Sequence, residues 1–245
     1  MKNHAFQALC FALRRWIIWP LRKPCHIVLL GGPGAGKGTI ASQLSPMLGL
    51  PHISTGALIR QEIALQTPLG LSLKERIANG GLAPDDDVFD LLVKALKSIP
   101  AGHGAILDGF PRTLAQAQRL EQKLESWGIG LQSVIWIELA EPDLIERLSL
   151  RRTCTNKDCG RSYHLKFDPP CVESVCDACG HALAQRSDDH PDAISNRLAL
   201  YKTESMPIRQ FYQAPDKEGL VSFLQHTNAN TKQEVLAMVL SALSK

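Results

Sequence analysis

His26-Ile-Val-Leu-Leu-Gly-Gly-Pro-Gly-Ala-Gly-Lys-Gly-Thr39 is a short apolar run that empties into a glycine-rich turn ending in a lysine. Ile27 to Leu30 is too short for a helix and apolar at every position, the pattern of a central parallel strand buried on both faces. Gly31, Gly34 and Gly36 admit positive φ and close backbone approach, so successive N–H groups can converge on an anion at the start of a helix near Lys37. The spacing Gly31-x-x-x-x-Gly36-Lys37 is that of a phosphate-cradling P-loop, with Lys37 as a mobile positive charge. One position departs from the general motif. Gly38 follows the lysine, and the hydroxyl comes one residue later, at Thr39.

Outward from this stretch, strand-like and helix-like segments alternate, which predicts an α/β fold with a parallel sheet between helical layers. The first helix is expected over 37–48, ending at Gly49, and His52-Ile53 is a second short strand. Ser54-Thr55-Gly56 can cap a helix over 57–66. Pro68 and Gly70 are expected to break it, with a further helix over 71–79 closed by Gly80-Gly81. A longer helix is expected over 84–98 with Asp85, Asp86 and Asp87 in its first turn, where the macrodipole favours acids. Residues 104–108 read as a buried strand ending in Asp108, 113–127 as a helix, 134–139 as a strand and 142–152 as a helix opened by Pro142. Alternation lapses over 153–185, rich in Cys, Gly, Pro and Asp; a helix is then expected from 189 to 213, a strand over 220–224 and a last helix over 231–244.

Composition narrows the function. The chain has 245 residues, 44% hydrophobic, and a formal charge of +3. That supports one substantial core with inserted pieces, and neither nucleic acid nor an anionic membrane is called for as an obligatory partner. No apolar run reaches about 18 residues, so no spanning helix is expected. Residues 1–24 stand apart. Lys2, Arg14, Arg15, Arg22 and Lys23 precede the first acid, Glu62, while Phe6, Leu9, Leu13, Trp16 and Ile17 recur at helical spacing. An organelle-targeting peptide, a surface helix for membrane or partner, and a packing appendage all fit this segment.

Two motifs carry chemistry. Asp108 ends an apolar strand, where a carboxylate of a P-loop protein can hold Mg²⁺ directly or through water. Gly109 rather than a second acid follows it, which suits a transferase that excludes water better than a hydrolytic engine. Cys154-x-x-x-x-Cys159 and Cys176-x-x-Cys179 form the second motif, each pair on a tight turn with Gly160 or Gly180 after it. Four thiolates can close a tetrahedron on Zn²⁺, and a segment this short needs such a substitute for a core. Cys171, His164 and His181 are candidate replacements for any one of the four.

Asp108-Gly-Phe-Pro-Arg112, together with residues 31–39 and Ile53-Ser-Thr-Gly56, resembles the adenylate kinases from about residue 26 to the C-terminus. Gly38 is itself a feature of that family. The resemblance implies a three-layer P-loop core made of 25–53, 84–152 and 190–245, an AMP-binding helical segment over 54–83 and a zinc-ribbon-like lid over 153–189. It implies transfer of the terminal phosphoryl of ATP to AMP, with Mg²⁺ accompanying ATP and structural Zn²⁺ in the lid. By the same resemblance Gly34, Ala35, Gly36, Lys37, Gly38 and Thr39 meet the ATP phosphates, with Arg147, Arg151, Ser162, Tyr163 and Asn230 on the ATP side. Thr55, Arg60, Gly81, Leu82, Ala83, Gly109, Phe110, Pro111, Arg112 and Gln116 fall where AMP is held, and Arg186 and Arg197 where both substrates are bridged. Lys37, Asp108, Arg112, Arg151, Arg186 and Arg197 form the expected catalytic set. Arg147 and Arg151 are expected four apart on one helix face.

Two departures stand out: Ala57 occupies a position usually acidic in the family, and the first cysteine knuckle is two residues longer. The expected form is a cytoplasmic monomer binding ATP, AMP and ADP, or an organelle-matrix protein if residues 1–24 are a targeting peptide. Another nucleoside monophosphate as acceptor is the neighbouring alternative, and a nucleic-acid-binding zinc ribbon with a nucleotide switch the remote one.

Overall fold

The structure, a computed structural model, describes residues 25–100, 103–156 and 158–244. The expectations for residues 1–24 lie outside the described residues. The order is β1 (Cys25–Gly31), α1 (Lys37–Leu48), β2 (His52–Ser54), α2 (Thr55–Ala64), α3 (Pro68–Ala78), α4 (Asp85–Lys97), β3 (Ala105–Asp108), α5 (Leu114–Ser126), β4 (Gly130–Glu138) and α6 (Glu141–Ser149). A small sheet of β5 (Arg151–Cys154), β6 (Ser162–His164) and β7 (Leu183–Ala184) follows. A 3-10 turn (Ser187–Asp189), α7 (Pro191–Tyr212), β8 (Val221–Gln225) and α8 (Lys232–Leu243) complete the chain.

Five strands form a parallel sheet in the order β2-β3-β1-β4-β8. Side chains alternate between its two faces, so the apolar run of β1 feeds two cores at once. Ile27 and Leu29 join Ile40, Leu44, Leu144, Leu148, Val239 and Leu240 on one face. Val28 and Leu30 join Leu92, Phe110, Leu120, Leu124 and Tyr212 on the other. Because β1 lies between β3 and β4, the chain turns to opposite sides from it, and a crevice opens at the carboxyl ends of these strands. The P-loop after β1 and the Asp108-Gly109 turn after β3 both lie there.

Several boundaries differ from the sequence expectation. The third helix begins at Pro68, not at residue 71: Thr67 caps it, accepting from Gly70 N–H at 3.0 Å, and proline is well placed at a first helical position. Gly70 sits inside that first turn because α3 presses on α2; a β-carbon there would lie 2.1 Å from Glu62 O. The fourth strand starts at Gly130 rather than at residue 134. The helix expected to reach residue 152 ends at Ser149, and Arg151 begins a strand that pairs with His164, so Arg147 and Arg151 do not share a helix face. The long helix begins at Pro191 after a 3-10 turn. Among the described residues no helix is long and apolar enough to cross a membrane.

Candidate active site

The loop after β1 takes the backbone form its glycines permit, with φ of 137°, 85° and 90° at Gly31, Gly34 and Gly36. Lys37, first residue of α1, folds back over this loop and donates from Nζ to Gly31 O and Gly32 O, each at 2.8 Å. The departure at residue 38 has a steric cause. A β-carbon there would stand 3.2 Å from Asp108 Oδ2, so glycine lets the carboxylate at the end of β3 approach the start of α1.

Asp108 is buried and lies 3.3 Å from His52 Nε2. Burial pushes its carboxyl up, but the His52 hydrogen bond and the charges of Lys37 and Arg112 outweigh this and hold it below the usual carboxylate range. Burial pushes the Lys37 ammonium down to about 8, with Arg112, Arg197 and Arg151 adding repulsion and Asp108 opposing it.

The next turn organises Arg112. Gly109 O accepts from Thr55 Oγ1 at 2.8 Å and from Arg112 Nε at 2.9 Å. Thr55 thus spends its hydroxyl on the loop, and Ser54, at the helix N-cap, makes no side-chain cap. Arg60 reaches the same corner: a β-carbon on Gly56 would be 3.1 Å from Arg60 Nη1 and 3.8 Å from Arg112 Nη2. Burial first, then repulsion from Arg186, brings the Arg60 guanidinium down to about 9. Phe110 is fully buried, and its bond to Pro111 is cis. The Gln116 side chain is already committed, accepting from Arg112 N–H and donating to Asp85 Oδ1, both at 2.7 Å. Gly81 N–H is likewise taken by Arg76 O at 2.9 Å; Leu82 is half-buried and Ala83 buried beside it.

Three further arginines are fixed by two adjacent aspartates that the sequence reading passed over. Arg151 grips Asp189 with Nε at 2.7 Å and Nη2 at 2.5 Å. Arg186 grips Asp188 in the same way, at 2.8 and 2.5 Å. Arg197 Nη1 lies 2.9 Å from Asp189 Oδ1 and 3.2 Å from Asp188 Oδ2. Such forked pairs orient the guanidinium plane as well as neutralise it. Arg186 and Arg197 hold the Asp188 carboxyl far below its ordinary value despite burial. Burial and Arg186 together bring Arg151 down to about 10. Nη1 of Arg151 and of Arg186 has no hydrogen-bond partner among the described residues and is available to a ligand.

The other expected residues divide. Arg147 Nη1 would be 3.5 Å from a β-carbon on Gly36, which puts it beside the P-loop, and its Nε donates to Asn228 Oδ1 at 2.6 Å. Asn230 Oδ1 accepts from Thr227 N–H at 2.9 Å in the loop before α8. Ser162 is exposed on β6, 3.4 Å from Thr153 Oγ1. Tyr163 is 3% exposed and sends its hydroxyl into the cysteine cluster, 3.4 Å from Cys176 Sγ, where it also accepts from Asp177 N–H at 2.8 Å.

In that cluster the Sγ atoms of Cys154, Cys159, Cys176 and Cys179 lie within 4.8 Å of one another, with Cys154 to Cys179 at 3.4 Å and Cys159 to Cys176 at 3.7 Å. A zinc tetrahedron with bonds of about 2.3 Å has edges of about 3.8 Å, so the donor set and its spacing fit Zn²⁺. The longer first knuckle closes, helped by Cys159 N–H and Gly160 N–H both donating to Asn156 O. None of the suggested substitutes enters the cluster: Cys171 is exposed, His164 Nδ1 accepts from Lys166 and Phe167 N–H, and His181 Nδ1 lies against Cys179 O.

Of these features, Asp188, Asp189 and His52 carried no signal beyond that of ordinary polar residues in a sequence. Two adjacent aspartates, separated from Arg186 by Ser187 alone, were the one cue available.

The family model described as adenylate kinase matches residues 29–217. The adenylate kinase of Carboxydothermus hydrogenoformans is 44% identical over 89% of this chain and 99% of its own length. That of Caldicellulosiruptor bescii is 42% identical over 86% and 97%, and that of Geobacter sulfurreducens 43% identical over 77% and 86%.

Proposed function

This chain belongs to the adenylate kinase family and catalyses ATP + AMP ⇌ 2 ADP, and we propose that its catalysis rests on one convergent cluster of cations, half-buried Lys37, Arg60, Arg151, Arg186 and Arg197 with the more exposed Arg112. The observation that carries this reading is their convergence: Arg60 and Arg112 meet over Gly56, and Arg151, Arg186 and Arg197 share the adjacent carboxylates of Asp188 and Asp189. Like charge strains the cluster: Lys37 feels Arg112, Arg197 and Arg151, and Arg60 feels Arg186, Arg151 and Arg112, with Asp108, Asp188 and Asp189 as the counter-charges nearby among the described residues. Two polyanionic nucleotides relieve that strain, and a phosphoryl transfer asks the protein chiefly for positioning and charge neutralisation.

In this reading Arg60 and Arg112 hold the AMP phosphate, with Thr55 and the backbone of Gly81 to Ala83 lining the AMP side. Lys37 and the N–H groups of 34–39 hold the ATP phosphates, while Arg151, Arg186 and Arg197 span the transferred group. Gln116 acts in its observed state by stiffening the Arg112 loop. Adenylate kinases use Mg²⁺ with ATP, and Asp108 beside Gly38 is the carboxylate that would hold it, the ion supplying charge neutralisation; Ala57 offers no second one. Cys154, Cys159, Cys176 and Cys179 would hold Zn²⁺ as a structural ion that rigidifies the segment.

The proposed division is a core of 25–53, 84–152 and 190–245, an AMP-side segment of 54–83 and a lid of 153–189, working as a cytoplasmic monomer. The comparisons lend no support to a nucleic-acid-binding role. An acceptor panel of AMP, UMP, CMP and GMP with ATP tests the assignment. AMP should exceed every other acceptor in kcat/KM by at least about a hundredfold, about 2.7 kcal/mol of discrimination. A comparable rate with UMP or CMP would move the acceptor assignment.

A further inference from the structure

A chain of hydrogen bonds leaves the site through Arg147. Its Nε donates to Asn228 Oδ1 at 2.6 Å, and Asn228 Nδ2 donates to Glu146 Oε2 at 2.7 Å. Glu146 Oε1 then accepts from Lys166 Nζ at 2.6 Å, on the turn after β6. The next residue, Phe167, stacks on His164 with ring centroids 4.5 Å apart and faces the Arg147 guanidinium at 5.9 Å. Asp168, at the end of the same turn, pairs with Lys232 at the start of α8. Three parts of the chain remote in sequence are therefore joined through the Asn228 carboxamide and the Glu146 carboxylate.

The chemistry of that carboxamide is specific. It must accept from a guanidinium and donate to a carboxylate, which an amide does and neither a carboxylate nor an amine can. Its loop is built beforehand: Thr227 N–H donates to Asn230 Oδ1 at 2.9 Å, Ala229 N–H to Thr227 Oγ1 at 3.2 Å and Asn230 N–H to Thr227 O at 3.1 Å. Asn230, expected from the sequence to touch ATP, also shapes the turn that presents Asn228. A free arginine carries about 2 kcal/mol of rotamer entropy, and holding its Nε in advance removes part of that cost from ligand binding.

We propose that Asn228 is the positioning residue that holds Arg147 for the donor nucleotide, and that through Glu146 it ties Arg147 to the Lys166–Asp168 turn. This rests on reading Arg147 as a donor-side residue, which its place beside Gly36 supports.

Steady-state kinetics in both substrates on the full chain test it. Asn228→Ala should raise the KM for ATP about tenfold while the KM for AMP and kcat stay within about threefold, a split that general damage does not produce. Asn228→Asp should do the same, because its carboxylate faces Glu146. Adding Glu146→Gln to Asn228→Asp restores a donor opposite the new acceptor and should recover at least half of the loss on a logarithmic scale. On an Arg147→Ala background, Asn228→Ala should add less than about twofold. If Arg147→Ala raises the KM for ATP and Asn228→Ala does not, the relay fails and the Arg147 reading stands. If Arg147→Ala leaves that KM unchanged, the Arg147 reading fails and the proposal with it. Equal rises in both KM values, or additive effects in the double variant, would also overturn the proposal.

Discussion

Replacing Asp189 with asparagine keeps its shape and removes its charge. The side chain has 0% exposure and neutralises Arg151 through two contacts, at 2.7 and 2.5 Å, and Arg197 through one at 2.9 Å. An amide offers one oxygen, so it must turn an N–H toward a guanidinium, and at least one arm of the fork is lost. Removing one partner of a buried ion pair costs about 3–5 kcal/mol, because the other charge is left buried and uncompensated. Asp188 still lies 3.2 Å from Arg197, which places the expected loss at the lower end, about 3 kcal/mol. Urea denaturation followed by far-UV signal should show that loss, and kcat should fall at least about tenfold as Arg151 loses its orientation. Gln185→Ala is the internal control. It removes only the contact of Gln185 Nε2 with Asp189 O, at 2.8 Å, and should cost about 1 kcal/mol with kcat within about threefold. A loss under about 1 kcal/mol in Asp189→Asn, with unchanged kcat, would refute the view that this carboxylate holds the arginines in place.

Cys176→Ser should lower zinc content and melting temperature together while the parallel-sheet core stays folded, since the four Sγ atoms connect both ends of the 153–184 segment; stoichiometric metal with unchanged melting would contradict the four-cysteine assignment. His26, 2% exposed with no partner for Nδ1 among the described residues, is pushed down to about 4 by burial. Between pH 6.5 and about 4 the unfolded chain takes up a proton that the folded chain refuses, so this group's contribution is full above pH 6.5 and about 3 kcal/mol is lost as pH falls through that window. His26→Leu should lose that much less over the same range, and parallel stability curves would remove His26 as the cause.

Much of this architecture is readable from local pattern because the strands that carry it are buried on both faces and announce themselves as apolar runs. Ile27 to Leu30 and Ala105 to Leu107 are such runs; Asp108 at the end of the second, and Lys37 opening the helix after the glycine loop of the first, sit where that reading puts them. The four cysteines were legible for a different reason, since few other arrangements use two close pairs of thiols in a short polar segment. Arg151 was misplaced because a residue four after Arg147 continues the helical period. The strand it begins exists only through pairing with Ser162 to His164, a contact that local periodicity does not encode. Asp188 and Asp189 were passed over for the same reason. Their burial depends on arginines at 151, 186 and 197 arriving from separate elements. The Gln116 amide is a parallel case, its function set by Asp85, 31 residues earlier.

If a convergent cation cluster around the P-loop performs the transfer, Lys37→Met should disable it. Methionine keeps much of the length and apolar body of the side chain but removes the charge and the two bonds from Nζ to Gly31 O and Gly32 O. With ATP and AMP saturating, and folding verified by an unchanged far-UV spectrum, kcat should fall by at least about a thousandfold, about 4 kcal/mol of barrier. A folded variant that keeps more than about a tenth of the parent kcat, a loss of only about 1.4 kcal/mol, would contradict it.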